Sequence, residues 1–247
     1  MYKWKVCPIQ GRQLKDVNPK DIIGDFRLCN TYRGGGGYDQ FPYIAKRRGL
    51  DRDGKIGLQF VVQLYGCHLN CTYCYVTRDG VFGKYREYTS KELVKVFNEV
   101  HTPCKIGVFH LMGGAPGLYY ENWYKILDLL NKNVIFHSDL LLTEKKYDKQ
   151  LLKKANRDNT LYAINIKGVT AEDYYKNTGT KIDSKLIWHN LYIVIESGIN
   201  FYLTFTNPDK KHLDEFKEFI SKKYGDCILE DHFIIDLVEY EALKEEI

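Results

Sequence analysis

The run Tyr65-Gly66-Cys67-His68-Leu69-Asn70-Cys71-Thr72-Tyr73-Cys74-Tyr75 follows directly on an apolar stretch, residues 56–64, that is rich in Val, Phe and Leu. The apolar stretch predicts a β-strand. The loop behind it carries three cysteines, with three and then two residues between them. An iron–sulfur cluster normally takes four cysteine ligands. A set that stops at three leaves one iron open to a ligand that is not protein. The competing reading is zinc, with His68 as the fourth ligand, but closed zinc sites draw their ligands as separated pairs. No second CxxC pair exists, and Cys7, Cys29, Cys104 and Cys227 are scattered singly. An odd cysteine count in a long chain without a secretory signal also argues against a disulfide framework.

The bulk properties set bounds. A chain of 247 residues can bury a full core, and α/β barrels often run this length as one domain. The net charge of +4 is mild and unclustered, so it permits an acidic partner without arguing for nucleic acid. No apolar run approaches the ~20 residues of a membrane span. Reduced cysteines and a start, Met1-Tyr2-Lys3-Trp4-Lys5, that lacks a signal peptide point to the cytoplasm.

Two regions are expected. Residues 1–55, with Gly34 to Gly37 and the basic pair Arg47-Arg48, read as an N-terminal extension, the glycine run being a loop. Residues 56–247 alternate strands and helices. Strands are predicted over 56–64, 105–112, from 134, 161–166, 201–205 and 232–238. Between them fall helices opening at the capping box Thr89-Ser90-Lys91-Glu92, and over 123–130, 149–155, 186–196 and 209–223. Pro103 is expected to end the first helix, and Gly198 the one over 186–196. Such alternation argues for a parallel sheet with right-handed crossovers. Six units are two short of a closed eightfold barrel, so the fold class is α/β, a partial (β/α)6 TIM-like barrel with chemistry at the strand C-termini.

The cysteine spacing, after a strand and before a helix, resembles the cluster loop of the radical S-adenosylmethionine (SAM) superfamily. The resemblance implies a [4Fe–4S] cluster on Cys67, Cys71 and Cys74, with SAM chelated at the open iron and cleaved reductively to a 5′-deoxyadenosyl radical. Tyr73 stands where the family meets the adenine of SAM through backbone. Gly113-Gly114-Ala115-Pro116 is similar to the glycine-rich turn that receives the methionine amino group, with Ala115 in place of the family's glutamate. Ser138 and Asp139 are the substitutes this implies, and glutamate at 115 is expected to be tolerated. Asn165-Ile166-Lys167 resembles the Asp-x-Lys segment of the glycyl-radical activating enzymes, so Asn165 and Lys167 are expected at the ribose and carboxylate of SAM. The loop 168–179 also looks like that subgroup. His110 is read as a buried core histidine rather than a substrate contact.

The implied activity is hydrogen abstraction from a protein, peptide or small molecule, with reduced flavodoxin or ferredoxin as electron donor. An RNA- or nucleotide-modifying enzyme of the same superfamily is the alternative, with nucleic acid not favoured as a partner. A zinc-binding interaction protein is the alternative from another class.

Overall fold

A computed structural model describes residues 2–9, 18–30, 41–50, 56–71, 73–74 and 76–235. The glycine run 34–37, and the part of the last expected strand beyond Ile235, lie outside the described residues. The N-terminal segment supplies β1 (Trp4–Val6), β2 (Ile22–Ile23), β3 (Phe26–Asn30) and α1 (Phe41–Arg47). Next come β4 (Leu58–Gln63), α2 (Arg78–Phe82), β5 (Arg86–Tyr88), α3 (Ser90–Cys104) and β6 (Val108–Met112). The remainder is α4 (Tyr124–Leu127), β7 (Ile135–Leu140), α5 (Lys149–Lys154), β8 (Thr160–Ile166), α6 (Ala171–Thr178), α7 (Ser184–Ser197), β9 (Phe201–Thr206), α8 (Lys210–Tyr224) and β10 (His232–Ile235).

Among the described residues the main sheet has the order β10-β9-β8-β7-β6-β4-β3-β2. Its six strands from β10 to β4 are parallel, which is the partial barrel that six strand–helix units imply. The sheet does not close. Past β4 it continues antiparallel, with Leu28 opposite Phe60 and Ile23 opposite Phe26. The N-terminal segment is therefore hydrogen-bonded into the barrel sheet itself, and β1 pairs with β5 in a separate two-stranded ribbon.

Local chemistry sets the helix ends. Thr89 accepts from Glu92 N (3.2 Å) and its own N–H donates to the Glu92 carboxylate (2.6 Å), the reciprocal capping box that starts α3. That helix runs to Cys104, one residue past Pro103, and stops at Lys105 in the left-handed region. Gly198 ends α7 with φ 70°, as expected of a residue following a helix. The helix expected over 123–130 is split. Pro116 opens a 3-10 stretch through Asn122, and only Tyr124–Leu127 is α-helical. Helices α1, α2 and α6 have no counterpart among the expected helices.

The two faces of the sheet differ sharply. On the helix-covered face Phe60, Val62, Phe109, Leu111, Phe136, Tyr162, Ile164, Leu203 and Phe205 form the main core, where Trp123 stacks on Tyr162 at 5.0 Å. The inner face is apolar only at its base. There Phe41, Ile44 and Ala45 of α1 pack on Val108, Ile135, Leu161, Ala163 and Tyr202. Arg47, the last residue of α1, and Arg48 just after it both pair with Asp231, which is 5 % exposed, just before β10. The basic pair thus pins a helical plug across the bottom of the barrel. Phe41 is fully buried in that plug. Phe41→Ala should cost about 3 kcal/mol, read as a lowered midpoint in urea unfolding followed by circular dichroism.

Candidate active site

The cysteine loop begins where β4 ends and is tied on every side by backbone. Leu64 N donates to Met112 O (2.9 Å), Gly66 N to Val81 O (2.8 Å), and Asn70 N to Thr178 O (3.1 Å) at the end of α6. Gly66 itself accepts from Ala115 N at 2.8 Å. Cys67, Cys71 and Cys74 are all partly buried and unpaired as disulfides. Burial pushes the Cys67 thiol up to about 11, and the neighbouring Cys71 and Cys74 add to the shift. Burial also raises Cys71 and Cys74, against the opposing charge of Lys167. Three thiols that resist ionisation and repel one another once ionised fit a cationic centre, because metal coordination deprotonates a thiol outright. The donor set therefore suits an iron–sulfur cluster, and Leu69 N, 3.4 Å from Cys67 Sγ, offers the hydrogen bond to sulfur that tunes one. His68 takes another role, since its Nε2 lies 2.7 Å from Thr143 Oγ1.

Lys167 stands beside this loop. Its Nζ is 5.4 Å from the Tyr73 ring and 3.4 Å from Thr206 Oγ1. Asn177 of α6, 3 % exposed, fixes the strand ends around it. The Asn177 amide donates to Lys167 O (2.8 Å) and Thr206 O (2.9 Å), joining the tops of β8 and β9.

The turn Gly113-Gly114-Ala115-Pro116 packs against the start of the cysteine loop. Both glycines have positive φ, 72° and 57°. A Cβ on Gly114 would stand 2.4 Å from Gly66 O and 2.6 Å from Leu64 O. Ala115 is 0 % exposed and lies in the main core. A glutamate there would bury a carboxylate among apolar side chains. The expectation that Ala115→Glu would be tolerated is overturned.

Strand alternation sorts the remaining candidates. Ser138 is fully buried, and its Oγ donates to Leu111 O (3.2 Å). It faces away from His137 and Asp139, so the structure takes it out of the site. Asp139 Oδ1 accepts from Asn165 Nδ2 (3.1 Å), and Asn165 Oδ1 accepts from Thr204 Oγ1 (2.5 Å). His110 is buried, as read from sequence, but on the inner face, where Nδ1 meets Gln59 Oε1 at 2.5 Å. His137, beside it, meets Tyr202 OH through Nε2 at 3.2 Å and is held well below the usual imidazole range by burial and by His110. These groups form a polar layer between the apolar plug and the cysteine loop.

Sequence reasoning missed Gln59, His137, Asn177, Tyr202 and Thr206. A signal existed for most of them. Parallel strands covered on both faces should read as continuous apolar runs. Gln59-Phe60-Val61-Val62-Gln63, His137-Ser138-Asp139 and Thr204-Phe205-Thr206 instead put polar residues on alternate positions. Glu144 gave no such signal. Burial raises its carboxyl even though it accepts from Leu141 N (2.8 Å), and it lies close enough to Cys67 to raise that thiol.

An open parallel barrel, with three thiols on the loop after its first parallel strand and a layer of polar side chains on its inner face, is the arrangement that a cluster-and-cofactor enzyme needs. The model of the radical SAM superfamily matches residues 61–222, and the chain belongs to that family. Radical SAM enzymes bind a [4Fe–4S] cluster and SAM, which are therefore the cofactors of this chain. Among solved structures the chain resembles anSMEcpe with bound AdoMet (TM-score 0.51, 19 % identity, 70 % of this chain and 49 % of that one). The same enzyme with AdoMet and a Kp18Cys peptide matches at TM-score 0.51 and 17 % identity over the same shares. Streptococcus suis SuiB matches at TM-score 0.54 and 13 % identity, over 85 % of this chain and 48 % of that one. The chain spans about half the length of these structures, and the likeness is one of fold. No curated protein sequence matches it.

The glycine turn yields a paired expectation. Gly114→Ala meets backbone carbonyls at a positive φ and should cost about 3 kcal/mol. Gly198→Ala has the same sign of φ with nothing within 4 Å, and should cost about 1 kcal/mol. Thermal unfolding of the two variants checks the difference.

Proposed function

We propose that this chain reductively cleaves SAM and abstracts hydrogen from a protein, peptide or small-molecule substrate, in the manner of the activating-enzyme-like radical SAM group. The observation that carries this reading is the set Cys67, Cys71 and Cys74. The three lie on one backbone-anchored loop, with Cys71 and Cys74 acting on Cys67 and Lys167 acting on Cys71 and Cys74. These three thiolates would hold the cluster. Held there, the cluster and SAM would supply reductive cleavage chemistry and a hydrogen-abstracting radical, with reduced flavodoxin or ferredoxin as the electron source.

The chain's own side chains have the tasks of binding and orienting. Lys167, a mobile point charge suited to a carboxylate, would hold the carboxylate or ribose of SAM, with Asn165 beside it. The left-handed turn at Gly113 and Gly114 brings backbone polar groups next to the cluster loop, where the methionine end would lie. Tyr73 would offer backbone to the adenine. Asp139, expected at the amino group, is instead engaged with Asn165 and faces His110. A peptide is the substrate class supported by likeness, since anSMEcpe, of similar fold, was solved with one. The wide polar layer beneath the loop also suits a hydrogen-bonding substrate rather than an apolar one. A soluble, cytoplasmic enzyme is consistent with this reading, and no helix among the described residues is long and apolar enough to cross a membrane.

Anaerobic reconstitution followed by a SAM-cleavage assay with dithionite tests the proposal. Wild-type protein should turn brown, bind about four irons and release 5′-deoxyadenosine. Cys71→Ala should lose the visible absorbance and the cleavage together. A variant that kept both would sink the assignment.

Lys167→Ala should retain iron and lose roughly ten- to a hundredfold in SAM affinity, the worth of a charge-assisted contact. Equilibrium binding of SAM to the reconstituted variant measures it, and unchanged affinity would make Lys167 a solvated strand-end lysine.

A further inference from the structure

We propose that His110, His137 and Asp139 form a second metal site, binding one divalent transition-metal ion in the interior of the barrel, separate from the cysteine loop. His110 of β6 and His137 of β7 are direct register partners. Asp139 follows two residues later on β7, hence on the same face. One potential ligand atom from each lies within 4.8 Å of the others. Both imidazoles are more than nine-tenths buried, at 8 % and 3 % exposure.

The division of labour within each side chain points to a metal. His110 Nδ1 is engaged by Gln59 Oε1, His137 Nε2 by Tyr202 OH, and Asp139 Oδ1 by Asn165 Nδ2. The opposite atoms, His110 Nε2 and His137 Nδ1, are buried without a hydrogen-bond partner. Asp139 Oδ2 faces His110 Nε2 at 3.9 Å, too long for a hydrogen bond. Gln59 Oε1 can only accept, so a neutral His110 carries its proton on Nδ1 and its lone pair on Nε2, and His137 has its lone pair on Nδ1 when Tyr202 OH accepts. One ligand atom from each of the three side chains lies within 4.8 Å of the others, and two buried imidazole nitrogens among them have no partner. Left so, the arrangement is repulsive and poorly solvated. A divalent cation converts it into a bound set.

Outer partners that hold the second nitrogen of a ligating histidine are what metal sites use to fix tautomer and aim. Bonds of about 2.0–2.2 Å require these ligand atoms, up to 4.8 Å apart, to draw closer together. The ligand set of two histidines and one carboxylate suits iron(II), zinc or another first-row ion, and it leaves coordination positions open. A substrate oxygen or nitrogen donor would fill them, which would hold the substrate in the cavity below the cysteine loop. The cysteines are not involved, so the two sites are separable by experiment.

Tag-free holoenzyme, reconstituted with its cluster and then washed with chelator, is dialysed against zinc and its metal content measured. One zinc per chain should be retained beyond the cluster iron, with a nitrogen–oxygen ligand shell by X-ray absorption. His137→Gln and Asp139→Asn should each lose that zinc while keeping the cluster iron. Tyr202→Phe, which removes only a hydroxyl, should weaken zinc binding roughly tenfold or more. His212→Gln, at the distant pair with Asp173, should keep it. Circular dichroism of each variant separates loss of metal from loss of fold, and His110→Gln serves in place of any variant that unfolds. Three results would overturn the site: no zinc retained by the wild type, zinc unaffected in folded Asp139→Asn, or sulfur in the zinc shell. Loss of the cluster reading would leave the zinc result standing, because the zinc ligands share no residue with the cysteine loop.

Discussion

Contact between the Gly113-Gly114 turn and the root of the cysteine loop is the constraint on which the rest of the site depends. Gly114 fits only because no side-chain atom separates its backbone from the carbonyls of Leu64 and Gly66. Ala115 N completes the junction by donating to Gly66 O. Through that junction the ends of two neighbouring parallel strands, β4 and β6, fix where three thiols can stand. The same glycines would also expose backbone to a ligand, so a packing requirement and a binding surface share one turn. A glutamate at position 115 would bury its carboxylate among apolar side chains. The chain has buried the position in its core and must find its polar contacts elsewhere.

Below the loop the barrel solves a different problem. A sheet covered by helices on one face and left open on the other must either fill its interior with apolar side chains or carry polar groups with partners. This chain does both, in layers. Helix α1 closes the base with Phe41, Ile44 and Ala45, and its arginine pair clamps it to Asp231. Above the plug nearly every buried polar group has a neighbour on the next strand: Gln59 with His110, Asn165 with Asp139 and Thr204, Lys167 with Thr206. Buried polar groups are costly unless satisfied. The two imidazole nitrogens left over in so complete a network therefore stand out as binding capacity.

Much of the fold was legible because it rests on local signals. Six apolar strand runs, a capping box at Thr89 and a helix-ending glycine at Gly198 lie in plain sequence, and each has its element among the described residues, the last strand as far as Ile235. The cysteine loop was legible for a simpler reason, since its three thiols fall within eight residues. What escaped depends on contacts distant in sequence. Helix α1 is short and draws its stability from packing across the barrel base, not from its own seven residues. The extension's β3 is a strand only because β4 offers it an edge. Ser138 and Asp139 were grouped because they are adjacent in the chain, yet adjacency in a strand means opposite faces.

The same rule explains why the inner polar layer was hard to see and how it could be found. Each strand contributes one or two members, so no window of sequence holds a recognisable cluster. Their common mark is an interruption: a Gln, His, Asp, Asn or Thr among the inner-face positions of strands whose other face is mostly Phe, Leu, Ile and Val. In a parallel sheet that interruption is energetically unfavourable unless the interior is a place where something polar is bound. Reading strands for what breaks their apolar run, rather than for what continues it, turns the period-2 pattern from a test of secondary structure into a pointer to the cavity. Here it would have collected Gln59, His110, His137, Asp139, Asn165, Thr204 and Thr206 before any coordinates existed. Those seven side chains come from five consecutive strands, and they line one face because the register of the sheet leaves them no other.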